Sequence, residues 1–236
     1  MVKNNKTGFF SIKLRDEKME LDIIGLVSAC SYALDCIEAE LVHVTNRHGK
    51  RVAYISVCMA EKFGIIGEAL QDLAMCALLH DNALTQYISE EVRHDLIKDQ
   101  TMDISSKKLG YFCEYDGTVY FANAYDSNTL YSMDPSEQNI KKLPFYTDVT
   151  NVILYHHENA DGTGPFRKKW EEIPLFARII HLCDTIDIIG NTGGYDQQNW
   201  EQAKAYLVKY ENTIFDAECV KAFLEVFSEE KFADMG

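Results

Sequence analysis

Val52, Ile55, Met59 and Phe63 recur at three- and four-residue intervals, which places them on one face of an α-helix that Gly64 closes. EALQDLAMCALLH predicts a second helix, with Leu70, Leu73, Ala77 and His80 along one stripe. Pro174 is suited to open a third, IPLFARIIHLCDTIDII, in which Leu175, Ile179, Leu182 and Ile186 align. That segment is apolar nearly all round, so it belongs at the centre of the fold, with Gly193-Gly194 at its end. Asn199 and Gln202 resemble a capping box before WEQAKAYLVKY. Asp216 should cap a last amphipathic helix carrying Val220, Phe223, Leu224 and Phe227, and the acidic run SEEKFADMG reads as a solvated end. One stretch departs from the helical period. Residues 110–134 are rich in Tyr, Phe, Val and Thr with Asp-Gly and Asp-Ser-Asn turn signals, which predicts a β-hairpin or small meander inserted into an otherwise all-α fold.

Composition narrows the functional classes. The chain has 236 residues, enough for one large domain with a full core. Its formal net charge of −14 argues against a nucleic-acid polymer as partner, because such binding relies on Lys and Arg displacing counterions from phosphates. A small phosphate ligand stays open, since a bound cation can reverse the local field. No apolar run is long enough to cross a bilayer, and MVKNNKTGFFSIKL lacks the pattern of a secretory signal. Seven scattered cysteines without a CxxC pair fit a reducing, cytoplasmic compartment.

Several polar residues fall on the apolar stripes. His48 extends the face of Val52 and Ile55, His80 extends that of Leu73 and Ala77 with Asp81 just after it, and Asp184 lies in the most apolar helix. A single histidine on such a face is ordinarily a hydrogen-bonded core residue, and Asp184 alone could pair with Arg178. His156 and His157 alone could be a coincidence on a polar surface. Together they supply four imidazoles and two carboxylates. Neutral imidazole and carboxylate without thiolate are the ligand set of Mn, Fe, Ni or Zn in an open, catalytic site.

At this point the chain resembles a known superfamily. His48, His80-Asp81 in ALLHDNAL and Asp184 in ARIIHLCDTID are similar to the H…HD…D pattern of HD-domain metal-dependent phosphohydrolases. HHENADGTGPF (residues 156–166) resembles the HHExxDGxGYP signature of the HD-GYP branch, bacterial phosphodiesterases acting on cyclic di-GMP. RHGKRVAYI, EIPLFARII and FDAECVKAFL resemble further segments of that branch, in the same order. The resemblance implies an all-α HD-domain helical bundle over residues 35–236, with the hairpin insertion at about 105–135 between the HD and HHE segments and residues 1–34 packing on it. It implies one or two divalent transition-metal ions per chain, Mn or Fe foremost, with Ni or Zn as options. His48, His80 and Asp184 would hold one cation, His156 and His157 the other, and Asp81 would bridge as the catalytic carboxylate. Gly162 and Gly164 let the backbone turn near the pocket, Asp161 is placed to brace that turn, and Arg178 joins them as a substrate-binding candidate. His181, three residues before Asp184, is open to either a supporting or a packing role.

The departures are specific. The tripeptide reads Gly164-Pro165-Phe166, and HDxGK reads HDNAL, so Leu84 replaces the lysine expected near a substrate phosphate and Ala83 the glycine. Val44 stands where some members carry a glutamate, and NTGGYDQQ replaces a basic cluster. The histidine that members carry between HD and HHE is absent near Ser132, where SMDPSEQNIKKLPF has none, and His94 is the only other histidine between those segments. The resulting expectation is a phosphodiesterase for a cyclic dinucleotide, cyclic di-GMP foremost, working through a metal-activated hydroxide. The alternatives are a relative that binds a nucleotide or partner without turnover, and an HD phosphohydrolase of another nucleotide. The ligand would be small and phosphate-containing, no membrane would be involved, and a homodimer is possible.

Overall fold

The computed structural model describes residues 2–3, 9–14, 17–42, 47–81, 111–115, 118–122, 130–132 and 134–236. Helices dominate. Ile23–Val42, His48–Ala60 and Glu68–Leu78 come first, then Asp134–Ile140, Leu175–Gly193, Gln197–Lys209, Ala217–Val226 and the short Glu229–Ala233. The backbone also forms two antiparallel three-stranded sheets, Val2–Lys3, Phe9–Leu14 and Glu17–Asp22 in one, Tyr111–Tyr115, Thr118–Ala122 and Leu130–Ser132 in the other. Among the described residues no helix is long and apolar enough to cross a membrane.

His48–Ala60 lies at the middle of the bundle, packed against Ile23–Val42, Glu68–Leu78, Leu175–Gly193 and Ala217–Val226. The predicted stripe is its buried face, since Val52, Ile55 and Met59 are fully enclosed. The third predicted helix is central too. Ala177, Ile179, Ile180, Leu182, Cys183 and Ile186 lose all exposure, and Pro174 and Gly194 flank its two ends as expected.

Two local expectations are corrected. The Gln197–Lys209 helix starts ahead of Asn199, because the Asp196 carboxylate accepts the Asn199 N–H at 2.9 Å and is the true cap, while Asn199 Nδ2 turns back to the Gly194 carbonyl. The C-terminal run is not simply solvated. Ser228 caps Glu229–Ala233, and Phe232 is buried against Trp200 and Tyr195, so one aromatic anchors an otherwise charged end. Asp216 caps Ala217–Val226 as predicted.

Two carboxylates that the helical period does not mark hold the approach to the HHE segment. Asp72, fully buried, accepts the backbone N–H groups of Tyr146 and Thr147 and the Thr147 hydroxyl. Glu137 accepts from Asn151 and Leu154 at 2.8 and 3.1 Å. The chain therefore reaches His156 through a segment whose backbone donors are tied to buried acids rather than to a helix.

Candidate metal centre

His48 is the first residue of its helix, and its neighbour Gly49 explains how it gets so close to His80. A Cβ at Gly49 would stand 2.6 Å from the Ser31 hydroxyl and 3.2 Å from the Leu78 carbonyl, so only glycine lets this helix start press on the end of Glu68–Leu78. The Gly49 N–H is held by Asp35 at 2.9 Å. As a result the Nε2 atoms of His48 and His80 are 3.2 Å apart. Asp184 Oδ1 lies 3.2 Å from His48 Nε2, and Asp81 Oδ2 lies 3.2 Å from His80 Nε2. The other oxygen of Asp81 faces His156 Nε2 at 3.7 Å.

The donors fall into two trios, His48–His80–Asp184 and Asp81–His156–His157, each with its ligand atoms within 4.8 Å of one another. Asp81 touches both, since its Oδ2 is also 3.7 Å from His48 Nε2. Two ligands each about 2.1 Å from one ion and set at right angles stand about 3 Å apart, close to the 3.2 Å that separates His48 from both His80 and Asp184, while His80 and Asp184 are 3.9 Å apart.

Hydrogen bonds on the far side of each ring decide what the near side offers. Nδ1 of His48 meets Asp187 at 2.7 Å, Nδ1 of His80 meets the Ala77 carbonyl at 2.8 Å, and Nδ1 of His156 meets the Ile153 carbonyl at 2.5 Å. All three partners accept only, so in each neutral ring the proton sits on Nδ1 and the Nε2 lone pair faces inward. His156 Nε2 is buried without a hydrogen bond. Three lone pairs and two carboxylates converging in a buried space need positive charge between them, and divalent cations fit that donor set.

The pKa directions agree. Burial opposes a charge on His48, but hydrogen bonds to Asp184 and Asp187 and the Asp184 charge outweigh it and hold its pKa at about 10. Burial likewise opposes charging of His80, and the Asp81 charge and Asp184 overturn it. Asp184 would be raised by burial, yet His48 and His80 keep its carboxyl well below the usual range. His157, half-buried and beside His156, is pushed down to about 3 by desolvation, so it is neutral and ready to ligate. In the metal-free protein protons do the neutralising. A cation must displace the His48 proton, so affinity is expected to rise with pH until the His48 pKa of about 10 is passed, with proton release on binding below it. Metal titration calorimetry in two buffers of different ionisation enthalpy reads that release directly. By the same sign, the protonated pair stabilises the metal-free fold below the ordinary histidine pKa, and this is lost as pH climbs through about 10.

Asp187 is the main residue that sequence reasoning missed. It is fully buried one turn beyond Asp184 and binds His48, the Arg51 guanidinium at 2.6 and 3.1 Å, and the Tyr195 hydroxyl at 2.5 Å. Glu158, third in HHE, is not among the metal donors. Its carboxylate is buried and accepts the Phe166 and Lys168 N–H groups at 2.6 Å each, clamping the following loop onto the histidines. Glu158→Ala would leave two backbone donors unpaired and is expected to cost about 2–4 kcal/mol in urea unfolding, with Glu158→Gln recovering part of it.

The remaining sequence candidates build that loop. Asp161 Oδ1 accepts the Thr163 N–H and hydroxyl at 3.0 and 2.6 Å, bracing the turn as expected. Gly162 takes φ of 82°, and a Cβ at Gly164 would lie 2.7 Å from the Asn159 nitrogen. Arg178 pairs with Asp216 and lies over the Trp170 ring, so Asp184 answers to the two histidines and not to Arg178. His181 packs edge-on against Phe215 and lies beside His157. His43, Val44, Ala83, Leu84 and His94 lie outside the described residues, as does the side chain of Ser132.

Residues 127–219 match a family model described as an HD domain. That span is similar to an HD domain. The matched span includes His156, His157 and Asp184, and the fold brings His48, His80 and Asp81 to them from outside it. Among relatives, the chain is 39% identical over 79 residues to the cyclic di-GMP phosphodiesterase PA4108 of Pseudomonas aeruginosa, covering 33% of this chain and 19% of that protein. It is 28% identical to the cyclic di-GMP phosphodiesterase response regulator RpfG of Xanthomonas campestris, over 76% of this chain and 43% of that one. A cyclic di-GMP phosphodiesterase of Thermotoga maritima is 24% identical over 78% of this chain and 45% of its own. The chain thus spans less than half the length of each of these relatives. A similar fold occurs in a crystal structure from V. cholerae, described as a cyclic GMP-AMP specific phosphodiesterase (V-cGAP3), with TM-score 0.60, 18% identity, and coverage of 89% of this chain and 50% of that one.

Proposed function

We propose that this chain is a metal-dependent phosphodiesterase of the HD-GYP type that opens a cyclic dinucleotide, cyclic di-GMP foremost. The observation that carries this reading is the pair of donor trios joined by Asp81, with three histidine tautomers held so that their lone pairs face inward. Relatives named as cyclic di-GMP phosphodiesterases support the substrate class.

In this reading His48, His80 and Asp184 hold one divalent cation, His156 and His157 hold a second, and Asp81 serves both, with Mn or Fe(II) as the ions. Such cations, when bound, supply Lewis acidity and bring the pKa of water close to neutral, so that hydroxide is available as nucleophile. The chain's own part is to present neutral imidazoles in fixed orientation and to hold Asp81 ionised by its contacts with His80 and His156. The Glu158-clamped loop with Asp161, Gly162 and Gly164 forms one wall for the substrate. We also read residues 35–236 as the phosphohydrolase domain, with the strands of residues 111–132 as an insertion in it.

A protein that binds the nucleotide without cleaving it is the competing reading, favoured by the second trio's having only two imidazoles. Metal content of protein purified without chelator, measured beside cyclic di-GMP hydrolysis with Mn or Fe(II), separates them. Two ions per chain with turnover is the expected result. Fewer than one tightly held ion and no turnover would overturn the enzymatic reading.

A further inference from the structure

The loop after the histidine pair carries Arg167, Lys168, Lys169 and Trp170 in succession, the longest run of cations in a chain of formal net charge −14. Arg167 and Lys169 are exposed and form no salt bridge among the described residues, while Lys168 meets Glu172 at 3.3 Å. Arg167 adopts φ of 55°, a left-handed conformation that a side-chain-bearing residue rarely takes and that marks functional loops more often than neutral ones. Trp170 keeps 49% of its surface exposed, whereas Trp200 keeps 5%. The Trp170 ring is not loose, because the Arg178 guanidinium lies over it at 5.5 Å and Arg178 is itself fixed by Asp216.

Several contacts tie this patch to the metal centre. Glu158, next to His157, binds the Phe166 and Lys168 N–H groups, Trp170 N–H donates to the Ala160 carbonyl at 3.2 Å, and the backbones of Asp161 and Lys169 pair antiparallel. Ala160 is three residues past His157, so at most about 11 Å of chain separates them. Arg178 precedes Asp184 by six residues on one helix, about 9 Å along its axis. Trp170 is therefore held between two segments that each carry metal donors, the loop after His156-His157 and the helix bearing Asp184.

We infer that Arg167, Lys169 and Trp170 form a substrate platform, the two cations for a phosphate and the indole for a purine base of the cyclic dinucleotide. This rests on the phosphodiesterase reading above. An anionic ligand approaching a strongly acidic protein needs a local patch of opposite sign. Leu84 and NTGGYDQQ supply no positive charge, whereas residues 167–169 supply three cations in the loop that Glu158 clamps beside His157. A rigid, half-exposed indole offers a stacking face to any base, which lends affinity without hydrogen-bond readout.

The test uses the metal-loaded chain. With Trp200 buried, a base stacking on Trp170 should quench the exposed part of the tryptophan emission as cyclic di-GMP is added. Trp170→Leu is expected to abolish that quenching and weaken binding at least tenfold, with Trp170→Phe retaining most of the affinity. Relative to bis(p-nitrophenyl) phosphate, which has no purine, kcat/KM for cyclic di-GMP should fall at least tenfold more in Trp170→Leu. Arg167→Gln combined with Lys169→Gln should raise KM and flatten its salt dependence. Binding and turnover that ignore Trp170 would overturn the platform alone. An unaltered chain that neither binds nor cleaves cyclic di-GMP would overturn the platform together with the reading it rests on.

Discussion

Asp81→Asn is expected to lower cyclic di-GMP hydrolysis by at least about a thousandfold, a loss of about 4 kcal/mol of transition-state stabilisation. The reason is positional. Asp81 Oδ2 faces His48 and His80 while Oδ1 faces His156, so among the described residues it is the carboxylate in contact with both trios. An asparagine keeps the shape but removes the charge, and it turns an N–H toward a lone pair that should meet a cation. Asp81 is partly exposed and, among the described residues, its carboxylate meets histidine side chains rather than backbone, so the helical bundle should survive. Metal analysis should show the second ion lost or much weakened, and circular dichroism should show unchanged helix content. Full metal content with wild-type turnover in this variant would remove Asp81 from the catalytic role and return the function to the open alternatives.

How much of this was legible in the sequence depends on the reach of each interaction. His48 and His80 could be read because they continue apolar stripes of their own helices, a local periodic signal. Asp184 stood out as a carboxylate in an apolar helix, and His156-His157 as an adjacent pair. The tautomers were not legible, because the partners that set them include Asp187, which is 139 residues from His48. Asp187 did leave a trace, since HLCDTID places a second acid one turn from Asp184, but nothing local says that it faces Arg51 and Tyr195. Asp72 and Glu137 lie on helices and act on backbone N–H groups elsewhere, Asp72 on one 74 residues away, so helical periodicity has no means of flagging them. Arg178 stood as a substrate-binding candidate, and its pairing with Asp216, the residue that also caps the next helix, was not legible because it spans 38 residues.

The Asp187 network makes the second large prediction. Asp187 is fully buried and accepts from His48, Arg51 and Tyr195 together. Burial would raise its pKa, but the hydrogen bonds from His48 and Arg51 reverse that and leave it depressed. Asp187→Ala would remove the carboxylate paired with the partly buried Arg51 charge, free the Tyr195 hydroxyl and release His48 Nδ1 from the bond that fixes its tautomer. Breaking a buried pair on one side costs about 3–5 kcal/mol, so unfolding in urea should shift by that much with little change in slope. Loss of the group that orients a ligating histidine should weaken the first metal by about 10–100-fold. Asp187→Asn should fall between, since its amide accepts on one side only and cannot balance Arg51. The pH sign follows from the depressed pKa. The contribution is present above the ordinary carboxylate pKa of about 3.9 and is lost as pH falls through the depressed folded value, so the acid limb of the stability curve should flatten in Asp187→Ala. The alkaline limb should change for a different reason, because His48 loses one of the two acceptors that hold its pKa at about 10. Metal affinity that drops without a stability change would mean that Asp187 only orients His48. A stability change without a metal effect would mean that Arg51 and Tyr195 are its real clients, and that Ala77 and Ile153 suffice to set the remaining imidazoles.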